Sequence, residues 1–299
     1  IQEYYKMKRA GFVNRWLPML LLAPKLVIIA IFFYWPAAHA LHSSFFLQDP
    51  FGFGSTFVGW ENYTDLAGSS EYRRIAWFTV LFTCLVTFFS LALALLLAVK
   101  ADKVIRGART YRTLIMWVYA VAPPVAGFIG VIMFNQSWGP LTRVFQFFGH
   151  DMTLGVNYND TAFAMVLVSI WKQVPVNFIF FLSGLQSIPK SVREASLIDN
   201  SSASGRFWDV TFPLLAPTGF FLLIINITYA LFDTFGVIDT LVKGEPGNNP
   251  MTLVYKVYVD GFRGNDLGGS SAQSVILMVL VLILTVVQFR LMERRIHYT

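Results

Sequence analysis

Apolar runs of about 20 residues, the length a helix needs to cross roughly 30 Å of hydrocarbon, recur along the chain near 17–46, 75–99, 113–134, 162–186, 212–236 and 273–291. They are continuous: LFTCLVTFFSLALALLLAV shows none of the alternation between lipid and lumen that a membrane barrel requires. The pattern predicts an all-α integral membrane protein with six transmembrane helices. The first run, Leu17 to Phe46, far exceeds the apolar core of a secretory signal and is expected to remain as a helix. No linker, low-complexity tract or repeat divides the sequence, so one domain over residues 1–299 is expected.

One polar segment interrupts this pattern between the fourth and fifth runs: PKSVREASLIDNSSASGRFWDVTFP, residues 189–213. Ser191 and Glu194 have the spacing of a capping box, which predicts a helix from Ser191 to about Asp199. Asn200, tolerant of the left-handed conformation, would end it. A second short helix, capped by Ser201 or Ser202, would carry exposed Phe207 and Trp208. It would stop before Pro213, whose ring disfavours helix at Phe212. Two readings of the pair stay open. It could lie on lipid headgroups as an amphipathic hairpin, or Ala195 and Ser196, small residues beside Glu194, could let a partner helix approach.

Composition agrees with the membrane reading: 56% of the 299 residues are hydrophobic and 13% charged, against about 25% charged in soluble domains. Lys and Arg resist translocation, and their distribution orients the chain. The N-terminus, the 100–112 and 187–211 loops and the C-terminus hold fifteen of the 23, the opposite side six, and Lys25 and Lys172 fall within spans. Both termini and the 189–213 segment are therefore expected in the cytoplasm. Topology accounts for the net charge of +6, and no nucleic-acid partner is needed. Cys84 is the only cysteine, which excludes an internal disulfide and a cysteine metal site.

Polar groups at membrane depth usually face a bundle interior or a water-filled path. Lys172, Gln173 and Asn177 flank Pro175, which can kink a helix and free carbonyls, and could line one cavity. Lys172 would supply positive charge there; alternatively it snorkels to an interface or pairs with Asp233. Asn226, Tyr229 and Asp233 share a helix face by spacing, as a pore lining or, for Asn226, as interhelical glue. In the alternative to a pore lining, Asp233 would lie near the outer boundary, with a loop beginning at Gly236. Pro123 and Pro124 mark a bend that lines a cavity or packs on a neighbour. His39 and His42 lack the further ligands a zinc shell needs, so no metal is expected. Neither a phosphate-binding loop nor HExxH nor G-x-S-x-G occurs, and no catalytic residue is expected.

The 189–213 segment resembles the EAA loop of ABC importer permeases: E-A-A, three residues, G, nine residues, I-x-L-P. Glu194, Ala195 and Pro213 match it. Ser196 stands for the second alanine, Asn200 for the glycine, Val210 for isoleucine and Phe212 for leucine. Further blocks (RWLPMLLLAPKL, FFYWPAAHAL, DPFGFGSTFVG, YAVAPPVAG, WKQVPVNFIFFLSGLQSIPKS, YALFDTFGVID and SSAQSVILMVLVLILTVVQFR) are similar to the carbohydrate-uptake branch, and within it to A-type permeases of bacterial sn-glycerol-3-phosphate importers. The resemblance implies a non-catalytic, multi-pass subunit of the bacterial inner membrane with a cytoplasmic coupling loop between helices 4 and 5. Glu194, Ala195, Ser196, Asp199, Asn200 and Pro213 would contact the ATPase. The implied partners are a second homologous permease, two cytoplasmic ATPases that carry the ATP and Mg²⁺, a periplasmic or lipid-anchored binding protein, and membrane lipids. This chain would hold no cofactor. Sn-glycerol-3-phosphate or a glycerophosphodiester is the implied substrate, with a neutral sugar as the alternative. From other classes, a lipid-modifying membrane enzyme would need Lys172, Asp233 or the histidines. A proton-coupled transporter would need internal repeats and membrane carboxylates, of which Asp233 is the one candidate.

Overall fold

The computed structural model describes residues 16–49, 54–103, 107–199, 202–242 and 249–295. The described residues begin with α1 (Trp16–Ile29), a π-helical turn (Ala30–Tyr34) and α2 (Trp35–Ser43). A short antiparallel hairpin follows, β1 (Phe46–Gln48) with β2 (Ser55–Phe57), then α3 (Glu61–Gly68) and the long α4 (Ser70–Asp102). Next come α5 (Ala108–Met116), a 3₁₀ turn (Trp117–Ala120), α6 (Pro123–Met133), α7 (Pro140–Phe147) and α8 (Tyr158–Ser187). The polar segment holds α9 (Lys190–Asp199) and α10 (Ala203–Arg206), which runs through a π turn (Phe207–Thr211) into α11 (Phe212–Thr228). A π turn (Tyr229–Asp233), α12 (Phe235–Val242), α13 (Leu253–Tyr258), a π turn (Val259–Arg263) and α14 (Leu267–Arg295) complete it.

Among the described residues, five continuous helical stretches are long and apolar enough to cross a membrane: Pro18–Ser43, Ser70–Asp102, Tyr158–Ser187, Ala203–Asp233 and Leu267–Arg290. The third apolar run differs from a straight span, because Arg109–Ala120 and Pro123–Met133 meet at 101°. Counted as one broken span, the pair brings the total to six. The cause is local. Proline disfavours α geometry in the residue before it, and Ala122 is accordingly extended, with ψ of 145°, as is Val121 ahead of it, with ψ of 123°.

α8 is the axis of the bundle, with 67% of its most apolar window buried. Phe178, Phe181 and Leu182 pack there in one core with Phe78, Phe82 and Val86 of α4. The first span stands apart with none of its window buried, and α2 leans on α14. α6 packs on α12 through backbone: a Cβ on Gly127 would lie 2.8 Å from Thr240 Cβ, and one on Gly236 3.0 Å from Pro124 Cδ. Small residues permit such close helix approach in membranes.

Two expectations are overturned here. Gly236 does not begin a loop but belongs to α12, and α12, α13 and the π turn Val259–Arg263 lie within the connection to the last span. The helix carrying Trp208 does not stop before Pro213, since it is continuous from Ala203 to Asp233. Proline clashes with the carbonyl four residues earlier and offers no amide. For Pro213 that carbonyl belongs to Asp209, inside the π turn, whose wider coil absorbs the clash. Pro36 stands in the same relation to the turn Ala30–Tyr34.

Candidate functional site

Two groups of residues merit attention: the α9–α10 segment and the polar side chains among the long helices. α9 begins at Lys190, one residue before the expected start, and the Pro189 carbonyl accepts from the amides of Val192 (3.1 Å) and Arg193 (3.3 Å). Ser191 thus sits inside the first turn and does not cap it. Arg193 fastens the helix to the bundle. Its Nη1 donates to Asp102 Oδ2 at the end of α4 (3.0 Å), and its Nη2 donates to the Leu185 carbonyl near the end of α8. Arg193 and Asp102 remain partly exposed, so screening holds the pair to about 1 kcal/mol or less. Its value is geometric, joining three helices at one guanidinium.

Ser196 faces inward, its hydroxyl donating to the Arg193 carbonyl (2.7 Å), while Glu194, Ala195 and Leu197 are exposed and Ile198 is 88% exposed. Apolar side chains thus project beside a carboxylate from a helix held to the bundle. α10 is capped by Ser202, whose Oγ accepts from Gly205 N (2.9 Å). Trp208 is exposed and Phe207 half-buried. Both pack on Phe212, with ring centroids 5.0 and 6.2 Å away. Val210 is half-buried and Pro213 exposed. Asp199 is the last residue of α9, and Asn200 and Ser201 lie outside the described residues.

Deeper in the bundle, Asn177 of α8 and Asn226 of α11 are fully buried and bond to each other. Ser90 of α4 completes the cluster: its Oγ donates to Asn226 Oδ1 (2.8 Å) and accepts from Asn177 Nδ2 (3.2 Å). Asn226 Nδ2 also donates to the Leu222 carbonyl (2.7 Å). Reasoning from sequence missed Ser90, a lone hydroxyl within an apolar run that carries no local signal.

Lys172 is buried, 9% exposed, and neither snorkels nor meets Asp233. Its Nζ donates to the Tyr119 carbonyl (3.1 Å) and stands 5.4 Å from that ring's centroid. Among the described residues no carboxylate pairs with it. The ammonium thus sits at the C-terminal end of the first half of the broken span, where the helix dipole favours positive charge. Gln173 is buried beside it. Tyr229 is buried, its hydroxyl donating to the Ser169 carbonyl (3.2 Å), but Asp233 is exposed. The π turn over Tyr229–Asp233 shifts the helical phase and parts Asp233 from the face shared by Asn226 and Tyr229. His39 Nδ1 lies 3.3 Å from the Ser43 hydroxyl, and the His42 ring stacks on Phe46.

A polar network at the opposite end of the bundle was also missed. Lys256 Nζ lies 2.8 Å from Asp260 Oδ1 and 3.4 Å from Glu71 Oε1, while Gln273 Nε2 donates to Asp260 Oδ2 (2.6 Å). Burial draws the Lys256 ammonium down, but Asp260 and Glu71 outweigh it and hold the group above its ordinary value. The neighbouring Tyr255 hydroxyl, pushed up to about 12 by burial and then by the Asp239 carboxylate, donates to Asp239 (3.1 Å), which also accepts from Arg263 (3.2 Å). The i,i+4 spacing of Lys256 and Asp260 was the one readable signal.

Comparison with known proteins yields consistent matches. Residues 66–298 match the family described as binding-protein-dependent transport system inner membrane component. The sn-glycerol-3-phosphate transport system permease protein UgpA of Rhizobium meliloti is 47% identical over 292 residues, 98% of this chain and all of that protein. Its counterpart in Salmonella typhi is 48% identical over 97% of this chain and 98% of its own length. Among solved structures, a bacterial ABC transporter that imports the acidic polysaccharide alginate superimposes with a TM-score of 0.80 at 19% identity, over 94% of this chain and 96% of that one. A chain of the MetNI methionine ABC transporter superimposes at 0.54 and 18% identity, over 79% and 99%.

Proposed function

The chain belongs to the family of binding-protein-dependent transport system inner membrane components, and from that premise we infer that it is the permease subunit of an ATP-driven importer of sn-glycerol-3-phosphate. Glycerophosphodiesters form the related substrate class. Similarity to such permeases over nearly the whole length carries the reading. ATP and Mg²⁺ belong to two partner ATPases, and a second permease completes the pathway. A binding protein delivers substrate from outside, and both termini lie in the cytoplasm.

Within this reading α9 and α10 are the coupling element. Glu194 and Ala195 meet the ATPase, Ser196 seats the helix behind them on the bundle side, and Asp199, Asn200 and Pro213 complete the proposed coupling set. What supports this is the exposed row of Glu194, Ala195, Leu197 and Ile198 on a helix that Arg193 ties to α4 and α8. ATP binding favours one of two arrangements of the pathway, and this differential affinity drives alternating access. Glu194→Lys is expected to abolish stimulation of ATPase activity by loaded binding protein while the chain still inserts. Undiminished stimulation would refute the coupling role.

For the substrate path we propose Lys172 with Gln173 beside it, then Asn177, Asn226 and Tyr229 on the buried faces of α8 and the fifth span, and Asp233 exposed further along that span. A buried cation with no carboxylate partner among the described residues suits a phosphate monoester. Uptake should fall at least tenfold in Lys172→Ala and recover partly in Lys172→Arg; unchanged uptake in the alanine variant would remove Lys172 from the path.

A further inference from the structure

We propose that the groove enclosed by α4, α5, α6 and α8 binds one anionic phospholipid, an acyl chain lying in the groove and the headgroup phosphate resting on Lys100, Arg109 and Arg112. The groove follows from the broken span. Because its halves diverge by 101°, they cannot cover one continuous strip of α8. They leave an opening of about 750 Å³ whose walls include Leu93 and Leu97 of α4, Leu114 and Ile115 of α5, and Trp171 and Val174 of α8. That volume lies within the roughly 300–1,000 Å³ of ordinary ligand sites. Leu93 and Leu114 are exposed, so the groove opens sideways from the chain. At membrane depth the surrounding medium is acyl chain, and water in such a lining would be unfavourable.

Charge selects the headgroup. On α4, Leu93, Leu97 and Lys100 follow one another at spacings of four and three, hence on one helix face. Lys100 stands about 4.5 Å beyond Leu97 along the axis. α5 presents the mirror order, Arg109, Arg112 and then Ile115, each three apart. α4 ends and α5 begins at the same end of the bundle, so both rows finish in cations there. Lys100 and Arg109 are exposed, and the Nε of Arg112 is buried with no hydrogen-bond partner among the described residues. Among the described residues no carboxylate pairs with any of the three, and nearby Asp102 is held by Arg193. The charge asymmetry of the sequence assigns this end to the cytoplasmic leaflet, where anionic lipid is enriched and basic pockets between helices take anionic headgroups. A second permease seated here would have to bring its own carboxylates to these cations.

The test uses the full chain in nanodiscs holding phosphatidylglycerol and phosphatidylcholine in equal amounts, with lipid retained after detergent exchange measured by mass spectrometry. Phosphatidylglycerol should be retained over phosphatidylcholine by at least about tenfold. A surface cation is worth roughly a fivefold preference, so the double variant Lys100→Gln/Arg112→Gln should approach parity. Leu93→Trp, an apolar filling of an exposed position, should reduce retention of both lipids about fivefold. Equal retention of the two lipids by the unaltered chain would overturn the proposal. So would retention indifferent to both variants, or efficient cross-linking of Leu93→Cys to the second permease in the assembled complex.

Discussion

Asn177 and Asn226 exchange side-chain amides across the α8–α11 interface, Asn226 Nδ2 donating to Asn177 Oδ1 at 2.7 Å and Asn177 Nδ2 to Asn226 Oδ1 at 2.9 Å. Neither side chain is exposed. Interhelical hydrogen bonds in membranes average about 0.6 kcal/mol, whereas a buried polar group left unpaired costs about 1–3 kcal/mol. Asn226→Leu leaves Asn177 Oδ1 buried without its donor and should destabilise the chain by about 1–3 kcal/mol. Asn177→Leu/Asn226→Leu should recover most of that. Unfolding of the purified chain in mixed detergent micelles measures both, and a double variant worse than the sum of the singles would contradict this account.

Arg193 reaches an α4 carboxylate and an α8 carbonyl at once. Lysine, a point donor without the planar fork, cannot hold both. Arg193→Lys is therefore expected to cost less than about 1 kcal/mol of stability, yet to lower transport severalfold and leave ATP turnover poorly coupled to it. Side-by-side uptake and ATPase assays in proteoliposomes decide this.

Gly127 lies against Thr240 and the Val237 carbonyl, with no room for a methyl group. Gly127→Val should separate α6 from α12 and cost about 1–3 kcal/mol, the usual penalty of overpacking. Gly107, where an added Cβ would meet none of the described residues but φ is +78°, provides a contrasting site: Gly107→Asn, tolerant of positive φ, should cost far less. Thermal denaturation in one detergent compares them.

Lys256 neutralises Glu71 and Asp260 together. Its raised value in the folded chain means that its contribution is complete below the ordinary value of 10.5 and is lost only as pH climbs through and above it. Lys256→Met should destabilise by about 1–3 kcal/mol, and the deficit should stay constant between roughly pH 6 and 8. A deficit that vanished within that range would show the ammonium is not the stabilising form.

How much of this was readable beforehand depended on whether the determinant was local. Uninterrupted apolar runs fixed the long helices, because lipid leaves the backbone no other way to satisfy itself. Pro123 and Pro124 announced a bend, though its size depends on how α6 seats on α12. The pairing of Arg193 with Asp102, and of Asn226 with Ser90, joins residues distant in sequence, where no window of neighbours reports it. Asp233 does not continue the buried face of Asn226 and Tyr229, because the period of 3.6 assumed for the fifth run is broken by the π turn at Tyr229. Pro213, by contrast, looked like a stop signal but sits inside a helix, since a widened turn absorbs its ring.

That tolerance has a mechanical side. From Trp208, exposed beside the aromatic cluster, to Tyr229, bonded deep in the bundle, the backbone coils without a loop, a distance of about 30 Å at 1.5 Å per residue. A push on the indole has no slack segment in which to dissipate, so it must arrive at the phenol as a tilt or a twist of the whole rod.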